Sequence, residues 1–159
     1  MADRPRALVS ACLLGVRCRY DGGSQRCPGI DRLMEHMELI PVCPEQLGGL
    51  PTPRTPSERR DGRVFARDGR DVTDAFLRGA EETCRLAALY GARFAVLKQR
   101  SPSCGSSAVY DGSFTGRTVS GSGVTAQRLR QAGLEVFSEE QMDALIKQFE
   151  CGRKDDAHG

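Results

Sequence analysis

The chain has 159 residues, 39% of them hydrophobic, with a net charge of +2, seven cysteines and no tryptophan. That length and apolar content suit one globular domain with one core, and exclude global disorder. The balanced charge and sparse aromatics argue against a nucleic-acid groove or a base-stacking surface. The odd cysteine count excludes complete internal pairing and points to thiolate chemistry or metal binding in a reducing, cytoplasmic setting.

The N-terminal run RPRALVSACLLG has the outline of a lipoprotein signal. Its apolar segment before Ser10 is only Ala7-Leu8-Val9, against the roughly 7–15 residues that a signal core needs. Ala7 to Cys12 instead predicts a buried strand. The CRYDGGSQRCPG segment reads as loop. Pro28 opens a short helix to Met37, with Leu33 and Met37 on one face. Glu38 to Cys43 predicts a second strand, at an edge or bulged, because Pro41 cannot donate to a ladder. The irregular stretch that follows carries four prolines and a repeated RDGR, at Arg60–Arg63 and Arg67–Arg70. Two Asp-Gly turns around RVFAR predict a small hairpin. A loop of this length in a compact domain is functional or mobile.

Thr73 is the expected N-cap of a helix to Tyr90 stopped by Gly91. Phe76, Ala80, Thr83, Cys84, Ala87 and Ala88 fall on its apolar stripe. Phe94 to Lys98 predicts a third strand, followed by a long loop through Gly121. Ser122 to Ala132 predicts a helix with Gly133 as its stop, and LEVF a fourth strand. Ser138 with Gln141 forms a capping box for the last helix. After Phe149 the chain reads as a tail, so residues 1–150 make the domain and 151–159 a frayed or disordered extension. The alternation predicts a single α/β domain of about four mainly parallel strands flanked by helices. It is Rossmann-like, with the long loop or hairpin as an insertion. No segment approaches the roughly 18 apolar residues of a membrane span.

Three cysteines end three of these strands: Cys12, Cys43 and, a few residues on, Cys104. In an open α/β sheet that edge is the usual ligand crevice. Cys18, in the GVRCRYDG loop, can reach the same place. Cys84 reads as core, Cys27 as a loop thiol with no partner signal, and Cys151 as incidental. Close pairs of the zinc type and the compact iron–sulfur run are both missing from the sequence. Spacing therefore leaves a metal or cluster site and a bare thiolate nucleophile both open. His36 near a helix end and His158 in the tail support no Cys–His pair. Glu45, two residues past Cys43, is placed to act as an acid or base, or is a solvated loop residue. Ser101, three before Cys104, reads as a site hydroxyl or a turn residue, with Ser103 competing. Arg54 in PTPRTP presents a guanidinium to a substrate or to solvent.

The segments VSACLLGVRCRYDG, PVCPEQLGGLPTPRTPSE, GRDVTDAFLRGA, AVLKQRSPSCGSSAVYDGSFTG and GSGVTAQRLRQAGLEVFSEE resemble the thiouracil desulfidase (TudS) family, over about Leu8 to Gln148. The resemblance implies an oxygen-sensitive [4Fe-4S] cluster held by three cysteines. It implies a fourth iron open to the sulfur of a thiolated base such as 2-thiouracil, giving uracil and sulfide with no net redox change. Carried residue by residue, the ligands are Cys12, Cys43 and Cys104, and Glu45 and Ser101 match the catalytic positions. Cys18 belongs to the same N-terminal motif; Cys12 is taken as the ligand because it terminates the strand. The expected partner is a small thiolated base, without membrane or nucleic acid. Rival readings are an iron–sulfur redox or iron sensor, a structural metal module, and a desulfidase acting on thiolated tRNA. A sensor has no helix–turn–helix signal here, and a tRNA enzyme would draw on the locally basic RRDGRVFARDGR.

Overall fold

Strand β1 (Arg6–Ser10) runs through the middle of the molecule, with Ala7, Leu8 and Val9 fully buried. The computed structural model describes residues 4–156, with side chains through Cys151. β1 pairs in parallel with β2 (Glu38–Val42) on one side and with β5 (Phe94–Leu97) on the other. β5 pairs in turn with β8 (Glu135–Ser138), giving a parallel sheet of order β2-β1-β5-β8. Pro41 is accommodated because β2 lies at the sheet edge and has one unpaired side.

Alternation along β1 divides the core. Ala7 and Val9 point to the face covered by α1 (Ile30–His36) and α5 (Met142–Asp156), where they meet Leu33, Leu145 and Ile146. Leu8 points to the face covered by α3 (Thr73–Tyr90) and α4 (Val124–Gln131), where it joins Ala87, Ala95, Leu97 and Leu129. A strand apolar on both faces is what a helix-covered parallel sheet requires. Each fully buried aliphatic side chain contributes about 1.5–3 kcal/mol.

The boundaries follow local chemistry. Gly91 adopts φ +62 and closes α3 with its N–H on the carbonyls of Ala87 and Ala88. Thr73 differs from expectation: it is the first helical residue, not the cap. Its hydroxyl accepts from Val64 N–H at 2.9 Å, while Asp71 Oδ1 accepts from Thr73 N–H at 2.9 Å. Ala88 lies on the exposed side of α3. Before α5, Ser138 and Gln141 form the expected capping box around a short 3-10 turn. Helix α5 runs from Met142 to Asp156.

Strands β3 (Ser57–Arg60) and β4 (Arg63–Ala66) form the expected hairpin, with Asp61 at φ +53 and Gly62 at φ +77 in its turn. It packs Val64 against Phe76, Ala80 and Val124. Two elements lie where the sequence reads as loop. One is the single-turn helix α2 (Pro44–Leu47), whose signals were Pro44 at its first position and Glu45 in its first turn. The other is a second hairpin, β6 (Ala108–Tyr110) with β7 (Thr118–Ser120), whose three-residue strands are too short to show a period. Helix α2 lies backbone to backbone on α3. A Cβ on Gly79 would stand 1.9 Å from Pro44 O, and one on Gly48 2.0 Å from Ala75 O. No described helix is long and apolar enough to cross a membrane.

Candidate active site

The chain leaves β1 toward β2 through α1 on one face, then reaches β5 through α3 on the other. The carboxyl ends of β1 and β5 therefore flank a topological switch point, where open α/β sheets bind ligands. A cavity of about 460 Å3 lies there, and Cys12, Cys18, Cys43 and Cys104 all line it.

Each thiol is placed by local structure. β1 ends at Ser10, so Cys12 sits in a 3-10 turn (Ala11–Leu14) closed by Gly15 at φ +96. Cys43 is the N-cap residue of α2, and its carbonyl accepts from Leu47 N–H at 2.9 Å. Cys104 lies in a turn shaped by Ser101, whose Oγ accepts from the N–H of Ser103 at 3.2 Å and of Cys104 at 3.1 Å. Cys18 is in the loop after the 3-10 turn and is only 2% exposed.

Burial pushes the Cys12 thiol up to about 11, with the neighbouring Cys43 adding to the rise. Burial likewise takes Cys18 to about 12, again with Cys43 beside it. Cys104 is also raised to about 12 by burial, against the pull of hydroxyl donors from Ser10 and Ser103. Thiols held protonated are poor nucleophiles by themselves, yet they give up the proton to a bound metal. That chemistry favours a metal or cluster over a bare thiolate.

Glu45 joins the thiol-bearing loops. Its Oε1 accepts from Arg54 Nε at 3.1 Å and its Oε2 from Ser103 Oγ at 3.1 Å. Arg54, with 6% of its side chain exposed, also donates to Cys18 O at 2.9 Å and Thr52 Oγ1 at 2.9 Å. Ser103 is 1% exposed, and its hydroxyl also lies 3.6 Å from Cys104 Sγ. Ser101 lines the cavity too, its Oγ 3.0 Å from Ser103 Oγ, but the contact with Glu45 is made by Ser103.

The structure thus brings Cys12, Cys18, Cys43, Cys104, Glu45 and Ser101 to one cavity. It leaves the other cysteines outside. Cys27 donates to Met142 Sδ at 3.9 Å, Cys84 is half-buried against the α3–α4 side of the core, and Cys151 is exposed on α5. His36 is buried away from the cavity, stacked on Phe149 at 6.0 Å. His158 lies outside the described residues. Two cavity residues had only an indirect sequence signal. Lys98, at the end of the predicted third strand, has its Nζ 3.8 Å from Glu139. Phe114 lies in the glycine-rich YDGSFTG connection.

Fold and site together define an α/β protein whose buried and half-buried thiols gather at the carboxyl edge of a parallel sheet. The family pattern of the 2-thiouracil desulfurases matches residues 7–141, and the chain belongs to that family. It is 39% identical over 149 residues to uncharacterized protein YbbK of Bacillus subtilis (strain 168), covering 87% of this chain and 99% of that one. The solved structure of the [4Fe-4S]-dependent thiouracil desulfidase TudS is similar to it with a TM-score of 0.86 and 43% identity. That likeness covers 93% of this chain and 99% of TudS.

Proposed function

We propose that this chain is a [4Fe-4S]-dependent thiouracil desulfidase, with Cys12, Cys43 and Cys104 as the cluster ligands and Glu45 and Ser101 as catalytic residues. The observation that carries the reading is the convergence of three buried thiols, the half-buried Cys43 and the Arg54-paired Glu45 carboxylate on a single cavity. The donor set fits the group: soft sulfur on three separate loops, with no histidine among the described cavity residues. Among the described residues no three His, Cys, Asp or Glu side chains close around a single ion. A four-iron cluster asks for a wider spread than one ion does.

When bound, the cluster supplies a soft Lewis acid, its fourth iron free of protein ligands, for the sulfur of the thiolated base. The protein's own residues do the rest. Water adds to the ring carbon and the C–S bond breaks, so thione and water become carbonyl and hydrogen sulfide with no net redox change. Glu45, fixed on both oxygens, takes a proton from the water and returns one to the departing sulfur, a contribution of about 10²–10⁴-fold. Ser101 and Ser103 offer hydroxyls beside it to orient the substrate. The cavity supplies a concave surface that positions the flat ring. Seven free cysteines suit a reducing cytoplasm.

A second ligand set, with Cys18 in place of Cys12, is favoured by the direct contact of the two segments, in which Cys43 Sγ lies 3.8 Å from Cys18 O. The test is an alanine series on oxygen-free protein, read as iron, acid-labile sulfide and sulfide released from 2-thiouracil. Cys12→Ala, Cys43→Ala and Cys104→Ala lose the cluster, and Cys18→Ala keeps it. Glu45→Gln keeps the cluster but releases sulfide about 10²–10⁴-fold more slowly. A full cluster in Cys12→Ala with loss in Cys18→Ala moves the ligand role to Cys18. A loaded wild-type protein that releases no sulfide refutes the enzyme reading.

A further inference from the structure

The chain has three tyrosines, six phenylalanines and no tryptophan, yet Tyr20, Tyr110 and Phe114 all line the one cavity. Phe114 is the one built into place. Its backbone φ is +57, a region that bulky side chains rarely occupy and that persists only where the surroundings enforce it. The enforcing group is Glu58 of β3, whose Oε1 accepts from the N–H of Gly112 at 3.0 Å and of Phe114 at 3.1 Å. Glu58 is only 8% exposed, a carboxylate withdrawn from water to hold this one loop. Gly112, at φ +95, lets the loop press on β3, since a Cβ there would stand 2.8 Å from Arg59 O.

The RDGR repeat finds its place here. Arg60, which opens the first copy, stacks its guanidinium over Phe65 at 4.6 Å from the ring centroid. Arg67, which opens the second, approaches the Phe114 ring at 5.7 Å. Only the second pair lines the cavity. The two hairpins therefore cooperate: the first supplies Glu58 and Arg67, and the connection of the second carries the ring that they hold.

We propose that Phe114 is the wall on which the planar ring of a thiolated heteroaromatic substrate stacks, with Glu58 and Arg67 as positioning residues. The inference rests on the desulfidase reading and extends it to substrate selection. The C=S end of the substrate must face the thiols. The flat faces of its ring gain most from an aromatic partner in offset contact. The Cys12, Cys43 and Cys104 segments offer mainly small, proline or charged side chains to the cavity, and its aromatic rings are those of Tyr20, Tyr110 and Phe114. Such a wall favours fully planar, delocalised rings over 5,6-saturated ones, whose sp3 carbons pucker out of the plane and stack less well.

The test uses the loaded enzyme with 2-thiouracil, its saturated 5,6-dihydro analogue, and uracil as a sulfur-free ligand measured by calorimetry. Phe114→Leu raises KM for 2-thiouracil roughly five- to a hundredfold, the range of one lost base–aromatic stack, with kcat and iron content unchanged. It weakens uracil binding by the same factor and raises KM for the puckered dihydro analogue by a smaller factor. Phe114→Tyr restores both ligands. Phe114→Met, which keeps the apolar volume without a ring, behaves like Leu and stands in for it if the Leu variant misfolds. Glu58→Gln shifts KM in the same direction without touching kcat. Uracil binding in Phe114→Leu or Phe114→Met equal to wild type overturns the inference, as does a fall in kcat at constant KM. A loaded wild-type enzyme that releases no sulfide overturns the desulfidase reading, and the uracil arm then decides the aromatic wall independently.

Discussion

Replacing Gly79 by alanine should destabilise the protein, against the ordinary rule for a glycine in a helix interior. Gly79 lies within α3, where alanine is normally better by about 1 kcal/mol. Here the added Cβ would stand 1.9 Å from Pro44 O, 2.8 Å from Pro44 C and 3.3 Å from Gly48 N. The atoms struck are backbone, so α2 must shift by roughly an ångström as a unit. Overpacking of this kind costs about 1–3 kcal/mol and more where nothing flexible can yield. Taking the upper end of that range, because the atoms struck are backbone, and subtracting the helix gain leaves a net loss of about 2 kcal/mol. For a chain of this length that lowers Tm by about 4–8 °C. Because α2 starts from Cys43 and carries Glu45, sulfide release should fall as well. The checks are a thermal melt by circular dichroism and single-turnover sulfide release on loaded protein. A Gly79→Ala variant that melts at or above wild type with full activity refutes the close approach and its link to the site.

Other outcomes follow from single contacts. The Asp71 carboxyl is held down to about 2, mainly by the Thr73 hydroxyl and N–H and then by Arg63. A depressed folded value means its stabilisation is complete above the ordinary carboxylate range and is lost as pH falls through about 2. Asp71→Asn should therefore melt below wild type at neutral pH, with the gap closing toward pH 2; a constant gap contradicts this. Arg54→Met leaves the largely buried Glu45 carboxylate without its cation and should cost about 3–5 kcal/mol in a denaturant titration. Arg54→Met with Glu45→Gln should recover much of that loss, and an additive double variant would show that the pair is not coupled. Alanine at Cys27, Cys84 or Cys151 should retain full iron, since none lines the cavity. Iron loss in any of the three would show that the cluster lies elsewhere.

The elements legible in the sequence were those with a strong local signal. The 18-residue helix α3 announced itself by its stripe and by Gly91, the first hairpin by Asp61-Gly62, and the last helix by Ser138 and Gln141. Those hidden were α2 and the β6–β7 hairpin, each too short for a period to emerge. Thr73 reads as a cap in the sequence because a threonine that caps and one that bonds an adjoining strand look alike until Val64 is in place.

By itself the sequence determined the alternation of strands and helices, and hence a parallel sheet with cysteines at the ends of β1, β2 and β5. Those features depend on side-chain period, glycine stops and capping groups, which act within a few residues of one another. Only the tertiary structure decided that Cys18 shares the cavity, that Ser103 rather than Ser101 touches Glu45, that Arg54 pairs with that carboxylate, and that Phe114 lines the cavity. The contacts responsible bridge distant parts of the chain: Arg54 reaches back 36 residues to Cys18, Ser103 lies 58 from Glu45, and Phe114 lies 56 from Glu58. No local pattern encodes such pairs, because they exist only once the loops have folded over the sheet edge and the burial of each group has chosen its partner.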